Sequence, residues 1–262
     1  MKQFILDTEP DRSGHVRLDG DAYRYLVRVR RLAPGECFPA LLPGGAEATV
    51  RVMSVGDRAL VGEVFTGEKP HPPSTLPPII LLQALPKGEK MDLIVRQAAE
   101  GALAEIVPFI SDFSILRIRG DGGQRLSRWQ RIIREARQQS GSAVATEIRQ
   151  PASMDEMFAY WEQVKAGRPG GALGLLFHHL PLANGSLHGY LGKSPQANWP
   201  EVVAMAIGPE GGFSPAEAER FMAAGFLPFT IGDTVLRTET AALYAQAAVR
   251  VLLAERDSWE TK

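Results

Sequence analysis

The sequence predicts an α/β protein with a parallel sheet in its carboxy-terminal part, preceded by a small β-barrel. Short β-like runs separated by glycine turns fill residues 1–68, which is typical of a small barrel. The apolar run Ile79–Ala84, a helical stretch ending near Gly101 and the apolar run Glu105–Ile110 then form a βαβ unit. Finally, Val202–Ala242 contains two glycine turns, each between an apolar run and a helix. Two such turns at neighbouring strand ends predict a small-molecule crevice.

The composition limits the kind of protein. With 262 residues, of which 45% are apolar, the chain is long enough for one or two domains with real cores. A net charge of −1 gives no global signal for a polyanionic partner, and the single cysteine, Cys37, argues against disulfides or a cysteine-ligated zinc site. The opening residues lack the apolar segment of a signal peptide, and no apolar run reaches about eighteen residues. We expect a soluble cytoplasmic protein with no metal and no membrane partner.

The predicted barrel has a basic segment between its first two strands. The strands are expected at Lys2–Leu6, Glu36–Leu42, Ala48–Val55 and Ala59–Phe65. The segment Tyr23–Leu32 mixes aromatic, aliphatic and basic residues, and its closely spaced arginines are Arg24, Arg28, Arg30 and Arg31. Two interpretations stay open, contact with RNA phosphates and a solvated helix face, and the density of arginine favours RNA.

A proline-rich stretch separates the barrel from the predicted α/β domain. Residues 68–78 contain five prolines and no periodicity, so we predict a linker over 69–78 and a second domain over 79–262.

A strongly basic helix is predicted within residues 117–137. Seven arginines stand there against Asp121 and Glu135, which gives a local charge of +5. The opposite face is apolar and carries Leu126, Trp129, Ile132, Ile133 and Ala136. In many amphipathic helices the charged face only contacts solvent, but most of those helices alternate positive and negative charges. The one-sided charge therefore favours a polyanionic partner, with Arg128 and Arg131 among the candidate RNA-binding residues.

Residues 145–201 supply further elements of the sheet. We predict a strand at 145–149, a helix at 153–165 and a buried strand at 172–177, followed by a long loop. The pair His178 and His179 comes at the end of the last strand. Because neighbouring side chains on a strand point to opposite faces, we interpret these histidines as ordinary residues that do not form a metal-binding pair.

The start of the helix after the first glycine turn is well specified. Ser214 is the predicted N-cap, Pro215 takes the first helical position and Glu217 completes a capping box. Gly225 is the predicted stop. The loop Ile207–Ser214 is thus left with three glycines and one carboxylate, which suits a flat ligand read by main-chain groups. The alternative is a tight turn without a ligand.

The two glycine turns together resemble a family signature. GPEGGFS at Gly208–Ser214, followed about twenty residues later by IGDTVLRTETA, is similar to the RsmE family of 16S ribosomal RNA uracil-N3 methyltransferases, in the SPOUT class. The resemblance implies a trefoil-knotted α/β domain that binds S-adenosylmethionine in the knot, a PUA-like barrel in front, and a homodimer. A knot is a rare exception to the rule that chains do not thread their own loops. The implied partner is 16S ribosomal RNA or the small ribosomal subunit.

The resemblance also assigns residues. It implies that the cofactor is bound by Ile207, Gly208, Pro209, Glu210, Gly211, Gly212, Ile231, Gly232, Val235, Leu236, Arg237 and Thr238. Lys87 matches a lysine-rich turn of the family and joins the RNA-binding candidates. The chain departs from the family pattern at Ser111–Ser114. It departs again at Gly141, at the end of a segment similar to a family motif, because the arginine that ends that motif is absent here.

Methyl transfer to uracil N3 requires loss of the imide proton, stabilisation of an anionic ring and in-line placement. Arg237 is the candidate that steadies the anion. Glu210 and Glu239 are the candidate bases, although a carboxylate at a helix start is normally a weak base, so the assignment stays open.

Other functions fit the sequence less well. No G-x-G motif follows Ile79–Ala84, as a class I methyltransferase would need, and no GxxxxGK[ST] motif is present. A non-catalytic RNA-binding protein with the same fold is the main rival. A SPOUT enzyme acting on another RNA, such as a tRNA ribose, is the second.

Overall fold

The computed structural model describes residues 3–66, 76–114, 122–179, 185–192 and 200–255. The chain divides into two compact units, one of Met1–Thr75 with Arg134–Ala145 and one of Leu76–Ile133 with Thr146–Lys262. Residues 69–75 of the predicted linker lie outside the described residues.

The first unit is built on a five-stranded sheet. Its strands are β1 (Phe4–Ile5), β2 (His15–Asp19), β3 (Cys37–Leu41), β4 (Glu47–Val55) and β5 (Ala59–Thr66), in the order β1-β3-β4-β5-β2. Only the β1–β3 pair is parallel. Strand β2 is an element that the sequence analysis missed. The four predicted strands are present, and their alternating buried residues form one core with Tyr23 and Leu26.

The basic segment of the first unit is helical. Helix α1 (Gly20–Tyr23) continues into a π-helical turn, Arg24–Val29, between β2 and β3. Leu26 is fully buried, and the hydroxyl of Tyr23 donates a hydrogen bond to the carbonyl of Gly56 at 2.8 Å. The apolar side of this segment is therefore fixed to the sheet, whereas the side chains of Arg24, Arg28 and Arg30 are exposed.

The second unit confirms the predicted parallel sheet. Its strands are β6 (Ile79–Ala84), β7 (Glu105–Phe109), β8 (Glu147–Ile148), β9 (Ala172–Phe177), β10 (Val202–Ile207) and β11 (Phe226–Phe229). All pairs are parallel, in the order β11-β9-β10-β6-β7-β8. Every residue of β6 and β10 is buried, as expected for central strands covered on both faces.

Helices lie between these strands along the chain and after the last of them. They are α2 (Lys90–Glu100), α3 (Gly122–Ser140), α4 (Met154–Ala166), α5 (Leu187–Gly192), α6 (Pro215–Ala223) and α7 (Thr238–Ala254). Among the described helices, none is long and apolar enough to cross a membrane.

The basic helix α3 is shared between the two units, since its residues from Arg134 onward group with the first. Its predicted apolar stripe is confirmed by the burial of Trp129, Ile132, Ile133 and Ala136. The predicted basic exterior is wrong at two positions. Arg134 pairs with the carboxylate of Asp7, and Arg137 is buried, which lowers its pKa. Arg117 and Arg119 lie outside the described residues.

The order of the strands brings distant parts of the chain together. Strand β10 lies between β9 and β6, with Val203 opposite Ile79 and Ile207 opposite Gln83. Because the strands are parallel, the carboxyl ends of β6, β9, β10 and β11 share one edge of the sheet, where ligands of open α/β sheets bind.

Candidate functional site

A pocket lies at this carboxyl edge of the sheet. Three segments line it: the end of β9, the loop after β10, and the segment from Thr230 to the first turn of α7. The lining residues are Phe177, His178, His179, Ile207, Gly208, Pro209, Glu210, Gly211, Gly212, Thr230, Ile231, Thr234, Val235, Leu236, Thr238 and Ala241. Ten of the twelve predicted cofactor residues are thus brought together, and Gly232 and Arg237 are not among the lining residues.

The glycine loop after β10 is folded tightly on itself. A Cβ atom added to Gly208 would lie 2.9 Å from the main chain of Gly212, closer than real Cβ contacts come. Gly212 has φ of +70°, a conformation that favours glycine. A Cβ at Gly211 would lie 2.9 Å from Cβ of Phe113. Side chains are therefore excluded at these three positions for steric and conformational reasons, and the main chain of the glycines forms this part of the pocket wall.

The helix after the loop begins as predicted. The hydroxyl of Ser214 accepts from the main-chain N–H of Glu217 at 3.2 Å, and the Glu217 carboxylate accepts from the N–H of Ser214 at 2.9 Å. The segment that departs from the family pattern reinforces this cap. Asp112 accepts from the Ser214 hydroxyl at 2.6 Å, and its own N–H donates to Glu217 at 2.7 Å. The far end of the glycine loop is therefore held by residues from two parts of the chain.

Glu210 is anchored rather than free. Its carboxylate accepts from Nζ of Lys90 at 2.5 Å and from the main-chain N–H of Lys87 at 3.1 Å. Burial raises the pKa of Glu210, but the hydrogen bonds from Lys90, from its own main chain and from Lys87 outweigh burial and hold that pKa below its ordinary value. Glu210 therefore ties the glycine loop to the turn before α2, and its role as a base stays a prediction.

A buried polar chain, missed in the sequence analysis, lies beneath the pocket. Gln83, at the end of β6, is 0% exposed, and its Nε2 donates to Oγ1 of Thr238 at 3.1 Å. The Thr238 hydroxyl in turn donates to the carbonyl of Gly208 at 2.6 Å. These two bonds link β6, the glycine loop and the start of α7. A glutamine within an otherwise apolar strand was the signal that could have identified it.

The two histidines at the end of β9 are arranged differently from the prediction. Their rings are stacked, with centroids 4.6 Å apart and an angle of 27° between the planes. The prediction of opposite faces was wrong because β9 ends at Phe177, so the histidines are outside the strand. Burial and the neighbouring His178 lower the pKa of His179. Both rings border the pocket, and the strand-end position was the signal for this.

Arg237 and Glu239 lie at the start of α7. Arg237 is the N-cap residue, is exposed, and makes no ion pair with any described residue. Oε2 of Glu239 is buried and has no hydrogen-bond partner within the described part of the chain. The guanidinium of Arg237 is therefore available to a ligand, whereas Glu239 does not cap the helix through this oxygen.

The candidate RNA-binding residues differ in how they are held. Arg128 pairs with the carboxylate of Asp92 and lies 3.6 Å from Glu89, whereas Arg131 is exposed and pairs with no described residue. In the first unit, the guanidinium of Arg24 lies 3.6 Å from the carboxylate of Asp21. The side chain of Val29, which follows Arg28 and precedes Arg30 in the sequence, is 69% exposed. Lys87 contributes its main-chain N–H to Glu210.

No group of three or more histidine, cysteine or carboxylate residues in the described ranges could hold a metal ion.

Four similarities relate this chain to known proteins. Residues 72–250 match the family model described as RNA methyltransferase domain. The ribosomal RNA small subunit methyltransferase E of Synechocystis sp. is 30% identical over 232 residues, covering 87% of this chain and 70% of that protein. The protein of the same name from Mycobacterium bovis is 29% identical, covering 97% and 93%. A crystal structure of this methyltransferase from Neisseria gonorrhoeae, bound to S-adenosylmethionine, superposes with a TM-score of 0.77 at 25% identity, covering 96% and 98%.

Proposed function

This chain belongs to the RNA methyltransferase family, and we propose that it transfers a methyl group from S-adenosylmethionine to N3 of a specific uridine in 16S ribosomal RNA. The observation that carries the proposal is the meeting of Gly208–Gly212 and the start of α7 in one pocket. The relatives that this chain matches over most of its length are named as small-subunit ribosomal RNA methyltransferases. Such a substrate implies a cytoplasmic enzyme.

The residues of the pocket fit the proposed cofactor. Gly208, Gly211 and Gly212 carry no side chain, so a flat adenosyl group can approach the main chain at these positions. The carbonyl of Gly208 accepts a hydrogen bond from the Thr238 hydroxyl, and the carbonyl of Pro209 accepts one from the N–H of Gly212. The remaining main-chain groups of both turns, together with the apolar side chains of Ile231 and Leu236, would hold the cofactor. When bound, S-adenosylmethionine supplies an electrophilic methyl group on a sulfonium.

The chemistry of the substrate assigns a role to Arg237. Uracil N3 attacks a methyl group only after losing its proton, which leaves a negative charge spread over the ring and its carbonyls. An exposed guanidinium without a carboxylate partner can stabilise this anion or hold a phosphate of the RNA. The carboxylate of Glu210 is already engaged by Lys90, so its contribution is to fix the loop.

The finer architecture is part of the proposal. We infer a trefoil knot of the SPOUT class in residues 79–262, a PUA-like RNA-binding barrel in residues 1–68 and a linker between them. The resemblance of the glycine turns supports the knot. The placement of β10 between β9 and β6, with α7 packed on α2 and β10, is compatible with it. The five-stranded sheet of the first unit supports the barrel.

An assay of methyl transfer tests the function. Purified protein is incubated with labelled S-adenosylmethionine and small ribosomal subunits or 16S RNA from cells that lack the modification. Nucleoside mass spectrometry is then expected to find 3-methyluridine at one position. No transfer despite tight RNA binding would favour a non-catalytic RNA-binding protein, and a methylated ribose would favour the rival target.

We propose that the enzyme is a homodimer formed through α7. Leu243, Tyr244 and Val251 leave an exposed apolar stripe on this helix, and Tyr244 is 53% exposed. Helix α2 packs against α7, where the amide of Gln246 donates to the carbonyl of Gln97 at 3.1 Å, and Leu93 of α2 is also exposed. An apolar stripe of this kind on a soluble protein marks an interface with another protein.

Tyr244→Asp is expected to shift the protein from dimer to monomer, because a carboxylate would be buried without a partner in the interface. Sedimentation velocity measures the mass. Gln163→Asp, on the exposed face of α4, is the matched control and should leave the dimer intact. A wild-type protein that sediments as a monomer at micromolar concentration would contradict the proposed dimer.

Arg131 and Arg128 are expected to respond differently to replacement by alanine. Arg131→Ala should weaken binding of a 16S RNA fragment and lower the slope of log affinity against log salt by about one, because a free phosphate-binding cation is lost. Arg128→Ala should chiefly lower the melting temperature, because Asp92 loses its partner. Filter binding over a salt series and thermal unfolding measure the two effects. Equal salt slopes for wild type and Arg131→Ala would remove Arg131 from the RNA surface.

A further inference from the structure

Gln83 is the one polar residue in the central strand β6, and it is fully buried. Burying an amide side chain costs free energy unless its hydrogen bonds are satisfied. Here they are satisfied only in part, because Oε1 of Gln83 is buried without a partner among the described residues. A leucine in this position would avoid that cost, so stability alone does not account for the glutamine.

The surroundings fix the direction of the amide. Nε2 faces two carbonyl oxygens, that of Ala84 at 2.9 Å and that of Ile207 at 3.4 Å. In a flipped amide, Oε1 would face these two carbonyl oxygens, and acceptors cannot hydrogen-bond to one another. The N–H groups of Gln83 must therefore face the carbonyls of Ala84 and Ile207. The Thr238 hydroxyl therefore accepts from Gln83, and its own hydrogen is left to donate to the carbonyl of Gly208.

This directed chain ends at both functional segments. Thr238 is the first residue of α7 and directly follows Arg237, the N-cap residue. The Thr238 hydroxyl bonds to Gln83 and Gly208, outside α7, and the N-cap itself makes no side-chain hydrogen bond. Gly208 opens the glycine loop. The position of Arg237 relative to that loop is thus set by a donor on β6, more than 120 residues earlier in the sequence.

We propose that Gln83 is a positioning residue, which holds the start of α7 and the glycine loop in the relative placement that cofactor binding and methyl transfer require. This inference rests on the proposed function. Gln83 does not line the pocket, so it acts through Thr238 and Gly208 and makes no contact with substrate.

The test uses Gln83→Leu, Thr238→Val, their combination, and Thr238→Ser as the conservative control. Calorimetry measures the affinity for S-adenosylmethionine and S-adenosylhomocysteine, and thermal unfolding confirms that each variant is folded. Gln83→Leu and Thr238→Val should each weaken both ligands about tenfold, the effect of losing one buried hydrogen bond. Because the two residues act in one chain, the double variant should be no weaker than the single ones. Thr238→Ser keeps the hydroxyl and should recover most of the affinity that Thr238→Val loses.

A residue with a merely structural role would lower the melting temperature and leave the affinity of the folded protein unchanged. Wild-type affinity in folded Gln83→Leu, or fully additive losses in the double variant, would overturn the proposal. If Gln83→Leu does not fold, the Thr238→Val and Thr238→Ser pair decides, since equal affinities would also overturn it. A wild-type protein that binds the cofactor but methylates no RNA would defeat the proposed function, while the affinities would still test Gln83.

Discussion

Arg237→Ala is expected to abolish methyl transfer while S-adenosylmethionine still binds. Arg237 is exposed at the start of α7, where the helix dipole adds to its positive charge, and no described carboxylate neutralises it. Removing a group that stabilises a developing anion costs about 10²–10³-fold in turnover. The cofactor is gripped mainly by main-chain groups, so its affinity should change little. Single-turnover transfer of labelled methyl and calorimetry separate the two effects.

Two further variants make this result interpretable. Arg237→Lys keeps the charge but loses the planar pair of donors, so it should recover part of the activity. Arg168→Ala removes an exposed arginine just after α4 and should behave like wild type. Retained turnover in Arg237→Ala would remove this residue from the chemistry, and a parallel loss of cofactor affinity would place it in the cofactor site.

Gly208→Ala is expected to have the largest effect on cofactor binding. The added Cβ would lie 2.9 Å from the main chain of Gly212, and backbone cannot move aside as a flexible side chain can. Overpacking of this kind costs about 1–3 kcal/mol, which corresponds to a loss of about 5–140-fold in affinity if the strain is relieved by distorting the loop. Calorimetry with S-adenosylmethionine measures the loss, and the melting temperature shows how much of the strain reaches the whole domain.

Gly44→Ala is the matched control for this substitution. Gly44 has open space around its Cβ position and no positive φ, so the same chemical change should leave cofactor binding intact. An unchanged affinity in Gly208→Ala would show that the close approach to Gly212 is not needed for the cofactor site.

Contacts around the pocket hold the glycine loop, which has few side chains, in one conformation. Lys90 and the main chain of Lys87 hold Glu210, Asp112 reinforces the cap at Ser214, and Thr238 holds Gly208. Each contact comes from a different part of the chain. The loop is therefore held in place through its main chain and through the side chains of Glu210 and Ser214.

Local features of the site were predicted correctly. The capping box of Ser214 and Glu217 and the stop at Gly225 depend on residues within a few positions of one another, so local geometry determines them. The parallel sheet followed from apolar runs that alternate with helical stretches. Wrong predictions arose where a boundary or a distant partner decided the outcome. The histidines lie beyond the end of β9, and Arg134 has a partner 127 residues away, in Asp7.

The sequence by itself determined the two glycine turns, the helix starts that follow them and the family that they signify. Only the tertiary structure decided that Gln83 is linked through Thr238 to Gly208 and that Glu210 forms an ion pair with Lys90. It also decided that both histidines border the pocket. The physical reason is the range of the interactions. Caps and turns form between near neighbours, whereas this pocket exists because β10 inserts beside β6, and nothing in the short-range pattern of either strand specifies that pairing.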